Sequence, residues 1–158
     1  MDSHGNIWAT FLYDDNLTSP QNYSHDVIGL VQINSSTGAL KKVYTLPPSG
    51  TSVRCISYDN AMHIDENDNM YIGWAMYDAN ATSYPHGVVV KMDIPSADGA
   101  PTYTWTKRYG TNAGSTHYDV PYRIDKLSTG EVIVAGYERK DISGTNRYIA
   151  TLMSLSDT

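Results

Sequence analysis

The stretch Thr102–Tyr137, TYTWTKRYGTNAGSTHYDVPYRIDKLSTGEVIVAGY, decides how the rest of the chain is read. Tyr103, Trp105, Lys107 and Tyr109 alternate with Thr104, Thr106 and Arg108, the period-two pattern of a β-strand. A Gly-rich polar segment follows. A short strand then ends at Ile124-Asp125, a tight turn reverses the chain, and an apolar strand runs from Val132 to Ala135. Short β-rich segments bounded by Gly, Asn, Asp or Pro recur along the whole chain. No segment keeps a helical period over a useful length, so the fold class expected is all-β.

The order of that stretch repeats. Three turn-plus-strand units align: Met1-Asp2 to Asn6-Ile7-Trp8, Ile64-Asp65 to Asn69-Met70-Tyr71, and Ile124-Asp125 to Gly130-Glu131-Val132. Tyr13-Asp14-Asp15-Asn16-Leu17-Thr18-Ser19 is matched by Tyr77-Asp78-Ala79-Asn80-Ala81-Thr82-Ser83. The repeats span approximately 1–63, 64–123 and 124–158 of one segment. Each carries a second apolar strand, at Val27–Ile33, Val88–Met92 and Ile149–Leu155. Two carry an outer strand, Leu40–Leu46 and Tyr103–Tyr109. Strands near Ser57–Ile64 and Tyr118–Ile124 lead into the second and third units. Four short strands per repeat of about 60 residues describe blades of a β-propeller, four-stranded antiparallel sheets set around an axis. With strands named A to D from axis to rim, the chain reads B-C-D, A-B-C-D, A-B-C. About three blades are expected, the first and last incomplete.

Composition narrows the class. The 158 residues are 41% hydrophobic and 18% charged, which is globular rather than disordered. Tyr outnumbers Phe by 13 to 1, which suits strands with one wet face. The net charge of -6 is spread along the chain without a basic block, which argues against nucleic acid as a partner. No apolar run approaches the length of a membrane span. The N-terminal MDSHGNIW has neither a charged n-region nor an apolar h-region, so it reads as a start without a signal peptide; a leader would be removed or lie upstream. Cys55 is the single cysteine, so no internal disulfide is expected.

At Trp105-Thr-Lys-Arg-Tyr109-Gly110, then Gly130-Glu-Val-Ile-Val-Ala135-Gly136, the chain resembles the β-propeller repeats of secreted bacterial and archaeal surface proteins, the SBBP-type repeats. Val90-Lys91-Met92-Asp93 supplies that family's V-x-K-L-D element. The first unit, at Leu30-Val-Gln-Ile-Asn34-Ser-Ser-Thr37-Gly38-Ala-Leu40, is closer to quinone-dehydrogenase-type propeller repeats. The resemblance implies a propeller fold and an extracellular or cell-surface setting. It implies no reaction.

An arc of incomplete blades leaves its two end faces uncovered. At roughly 1.5–3 kcal/mol per buried apolar side chain, one such face forgoes more than the about 5–15 kcal/mol by which a whole domain is stable. The partners expected are therefore further blades of the same protein or identical copies.

Candidate chemistry is sparse. Asp65, Asn67 and Asn69 offer oxygen ligands at alternating positions, as calcium loops do, and calcium is the one cofactor considered. The alternative for these residues is a turn held by Asx hydrogen bonds. Sequons at Asn16, Asn22, Asn34 and Asn80 are candidate glycosylation sites. Five histidines, His4, His25, His63, His86 and His117, lack metal-ligand spacing. Asp14, Asp15, Asp78 and Glu138 are placed in equivalent B-to-C loops, where two carboxylates could do glycosidase work. Trp8, Trp74 and Trp105 could stack on sugars or pack between blades. No catalytic motif is present. The function expected is recognition or assembly without catalysis, through a glycan or protein ligand. The alternatives are a fragment of a secreted glycan-active hydrolase and a subunit of an extracellular filament.

Overall fold

The computed structural model describes residues 1–14, 26–46, 61–76, 86–109 and 118–157. Strands β1 (Asn6–Asp14), β2 (Asp26–Asn34) and β3 (Leu40–Leu46) form the first sheet, in that order. Strands β4 (Ala61–Ile64), β5 (Asn69–Met76), β6 (His86–Asp93) and β7 (Thr102–Tyr109) form the middle sheet. Strands β8 (Tyr118–Lys126), β9 (Val132–Ile142) and β10 (Thr145–Leu155) form the third. All are antiparallel meanders, and the described residues contain no helix. Among the described residues, the first and third sheets have three strands and the middle sheet four. The described strands do not close into a barrel or ring.

The β-character has local causes. Apolar residues alternate with smaller or polar ones, so each strand has two usable faces. The hairpin turns are pinned by backbone geometry. Asp2 N donates to Asn6 O and Gly5 N to Asp2 O; the same pair of bonds joins Asp65 to Asn69 and Asp68 to Asp65, and Leu127 to Glu131 and Gly130 to Leu127. The fourth residue of each turn is left-handed: Gly5 at φ 76°, Asp68 at 60° and Gly130 at 95°. These bonds correct the repeat alignment. Leu127, not Asp125, stands where Asp2 and Asp65 stand, because the left-handed residue fixes the hairpin register. Met1, Ile64 and Lys126 are the equivalent preceding residues.

Two further boundaries differ from the sequence reading. Strand β9 runs on to Ile142 rather than stopping at Ala135, and joins β10 through Ser143 and Gly144, both at positive φ. Glu138 therefore lies within a strand, opposite Ile149 on β10 and Asp119 on β8, and not in a loop. In β8 the register shifts between Pro121 and Arg123, leaving Tyr122 as the bulged residue. Pro121 cannot donate a ladder bond and is tolerated because β8 is an edge strand.

The three sheets stack as layers. Met70, Ile72 and Trp74 on β5, with Val88, Val90 and Met92 on β6, join Trp8, Ile28, Leu30 and Leu46 of the first sheet in one core. Residues between them on the same strands face the other way. Tyr71 and Val89, with Ala61, meet Ile124, Val132 and Val134 of the third sheet in a second core. Gly73 belongs to that face too: a Cβ there would crowd Ile124 and Pro121.

Burial predicts a contrast. Ile72→Ala empties a fully buried site and should cost about 2–5 kcal/mol. Val43→Ala, on the outer face of the first sheet and 55% exposed, should change stability by no more than about 0.5 kcal/mol. Chemical denaturation of the two variants checks both.

Candidate functional site

The described residues carry their polar chemistry where turns meet neighbouring sheets. Asp2 is buried and its carboxylate accepts from the backbone N–H of His4 and Asn6, from Asn6 Nδ2 at 2.9 Å and from Trp8 Nε1 at 2.8 Å. Burial alone would raise its pKa, but these donors hold it below the usual carboxylate value. Asp65 repeats the arrangement with Asn67 N, Asn69 N, Asn69 Nδ2 and, at 3.3 Å, Tyr71 OH. The shared pattern is Asp, then Asn four residues on, then an aromatic donor six residues on.

Two seams join the sheets. In the first, the Ala97 carbonyl of the middle sheet's β6–β7 turn accepts from Asn6 Nδ2, Gln32 Nε2 and Lys41 Nζ. Lys41 also pairs with Asp98 at 2.7 Å. At the same end, Ser3 donates to Asp68 through both its N–H and its hydroxyl, and His4 Nε2 lies 3.4 Å from the Asp68 carboxylate.

In the second seam the acceptor is a side chain. Asp157, which follows β10, accepts from Tyr71 OH at 3.0 Å, Lys91 Nζ, Trp105 Nε1 and Lys126 Nζ. Lys126 reaches Asp65 as well, at 2.8 Å. Burial would raise the Asp65 pKa, but the Lys126 and Asn69 hydrogen bonds bring it down to about 2. Lys126 is held above its ordinary value, chiefly by its bond to Asp65. Burial raises the Tyr71 hydroxyl well above its own, so it stays a donor. The cross-strand registers Trp8↔Gln32↔Lys42 and Tyr71↔Lys91↔Trp105 put both seams on the same rank of the two sheets. The contacts thus recur at equivalent positions while the chemistry at each position changes.

The sequence candidates fall in different places. Asp65 and Asn69 are together, and the carboxylate they share is engaged by Lys126 and by turn donors; Asn67 contributes its backbone N–H. This is the geometry of the Asx-bonded turn. Asn34 ends β2, and its Oδ1 accepts from Ser36 N, Ser36 Oγ and Thr37 N. Asn16, Asn22, Asn80, Asp15, Asp78, Cys55, His25 and His117 lie outside the described residues, and of Asp14 only the backbone is described. His63 Nδ1 sits 3.3 Å from Asp125, and His86 opens β6. Trp8, Trp74 and Trp105 are turned into the interfaces between sheets rather than presented as an open stacking surface. Besides Asp65 and Asp157 on Lys126, the structure sets Asp119 and Glu138 opposite each other and buried, with Lys140 Nζ 2.7 Å from Glu138. Sequence reasoning missed this pairing because it depends on the β8–β9 register across the bulge. Among the described residues no group of three or more His, Cys, Asp or Glu side chains is arranged to hold a metal ion.

Large apolar side chains remain on the two outermost faces. Ile7, Phe11 and Val43 are exposed on the first sheet. On the third, Tyr122, Tyr137 and Tyr148 form a ladder with ring centroids 5.3 and 5.4 Å apart, and Leu152 is 74% exposed. No protein-family model matches the chain, and a search of curated proteins finds no relative.

The depressed Asp65 pKa ties stability to pH. The ionised carboxylate stabilises the fold above its unfolded value near 3.8, and this contribution is lost as pH falls through the folded value of about 2. A melting temperature that falls between about pH 4 and pH 2, with a shallower fall in Asp65→Asn, is the expected result; the linkage is about 2 kcal/mol. Lys126→Met leaves the buried Asp65 carboxylate without its cation, while Asp157 keeps Lys91, and should cost about 1.5–3 kcal/mol at neutral pH, measured by urea unfolding.

Proposed function

We propose that this chain is a non-catalytic extracellular or cell-surface module whose sheets are blades of a β-propeller-type array, serving recognition or assembly. The observation that carries the reading is the repeated stacking seam. Gln32 and Lys42 at the rank of Trp8 in the first sheet, and Tyr71, Lys91 and Trp105 at the same rank of the second, donate to a turn or tail of the sheet that follows. Such same-sense stacking of meander sheets is how propeller blades follow one another. The SBBP-type likeness of residues 105–110 and 130–136 supports the extracellular setting. The sequons at Asn16, Asn22, Asn34 and Asn80 are then glycan attachment sites, the Asn34 one at the end of β2. Further blades of the same protein or identical copies complete the array.

The competing reading is a glycan-active hydrolase, which the facing Asp119 and Glu138 carboxylates favour. The burial of both, and the Lys140 partner of Glu138, support a structural role instead.

Two measurements test the proposal. Electron microscopy of native particles containing the chain should show sheets arranged radially about a central axis; a straight stack would overturn the propeller reading. The purified chain should leave a panel of aryl glycosides intact. Hydrolysis abolished by Asp119→Asn, Asp14→Asn or Asp78→Asn would establish the enzyme instead.

A further inference from the structure

We infer that the exposed face of the third sheet is a docking surface for a second copy of this chain, which seats the exposed face of its first sheet there, head to tail. The inference rests on reading the sheets as repeated sectors, and names the partner and the surface.

The argument is positional. Every sheet has a leading face, turned toward the sheet that follows, and a trailing face, turned toward the one before. At the first internal interface, leading residues Trp8 and Leu30 meet trailing residues Met70 and Val90. At the second, Tyr71 and Val89 meet Val132 and Met153. The strand registers give each position its counterpart in the other sheets. Ile133 and Leu152 hold the positions of Tyr71 and Val89 on the leading face of the third sheet. Ile7 and Val31 hold those of Met70 and Val90 on the trailing face of the first. One leading and one trailing face are therefore left over, and they are the two kinds that pair inside the molecule.

Their exposure shows what is unused. Leu30 and Val89 are fully buried, while their counterpart Leu152 is 74% exposed. Met70 and Val132 are fully buried, while their counterpart Ile7 is 44% exposed. Among the described residues, the uncovered trailing face presents the uncharged side chains of Ile7, Ala9, Phe11, Val31, Ile33 and Val43, which suit an apolar partner. The Tyr122–Tyr137–Tyr148 ladder offers the opposite face a rigid aromatic surface of the kind favoured at interfaces. A leading face on a trailing face is a heterologous contact, so each copy that docks presents a fresh face for another.

Sedimentation of the 158-residue chain between about 1 μM and 100 μM, where a contact of μM affinity shows, tests this. Mass should rise with concentration above 17.5 kDa. Leu152→Glu blocks the leading face and Ile7→Glu the trailing face. Each variant alone should stay at the single-chain mass, and their equimolar mixture should yield a species of twice that mass and no larger. Unchanged strand circular dichroism shows that the variants fold; Tyr148→Glu and Val43→Glu replace any that does not. A wild-type chain that stays at single-chain mass throughout overturns the docking surface and leaves the propeller reading to its own microscopy test. A single variant that still dimerises, through one face on its like or through the β10 edge, overturns the head-to-tail arrangement.

Discussion

The middle sheet is buried on both faces, and the other layers depend on that. Because side chains on a strand alternate, β5 sends Met70, Ile72 and Trp74 to one neighbour and Tyr71 to the other. A one-residue slip of β5 would exchange the two sets. The tyrosine would then lose Asp65 and Asp157, and the apolar set would face the second seam. The hairpin turn prevents the slip by fixing where the left-handed residue falls, at Asp68. A backbone constraint in a four-residue turn thus sets the composition of two cores.

The polar seams complement this. They lie at the end of the sheets where the turns before β1, β5 and β9 gather with the β6–β7 turn and Asp157. A partly buried ammonium between two carboxylates contributes little net stability against an apolar replacement, because desolvation offsets the attraction. Its value is angular. Lys126 holds Asp157 within the third sheet and reaches Asp65 across the seam, and Asp157 in turn takes Tyr71, Lys91 and Trp105 of the middle sheet, so the donors on both sides must meet in one register. The apolar layers supply most of the stabilisation, and the ion pairs select among the ways the layers could lie.

Much of this was legible in the residues. Leu40–Leu46 has the bounds expected from its alternation and the preceding Thr37-Gly38, and the three-four-three distribution of strands follows from the repeat. What failed did so for stated reasons. Aligning on Ile-Asp placed Asp125 in register with Asp65, whereas the left-handed Gly130 sets the register two residues later. Glu138 looked like a loop residue because strand alternation fades into charge after Tyr137, yet pairing with β10 holds it in a strand. The polar seams were illegible because their partners, Lys126 with Asp65 and Lys91 with Asp157, lie 61 and 66 residues apart.

The bulge at Tyr122 has one more consequence. A border strand with regular free amides invites a stray extended segment to add itself, which is how cross-β aggregates begin. Pro121 lacks the amide such an invader needs, and the kink beside it breaks the straight run of β8. Lateral accretion is discouraged along that margin, so growth by edge addition is steered away from it and toward the opposite border of the same sheet.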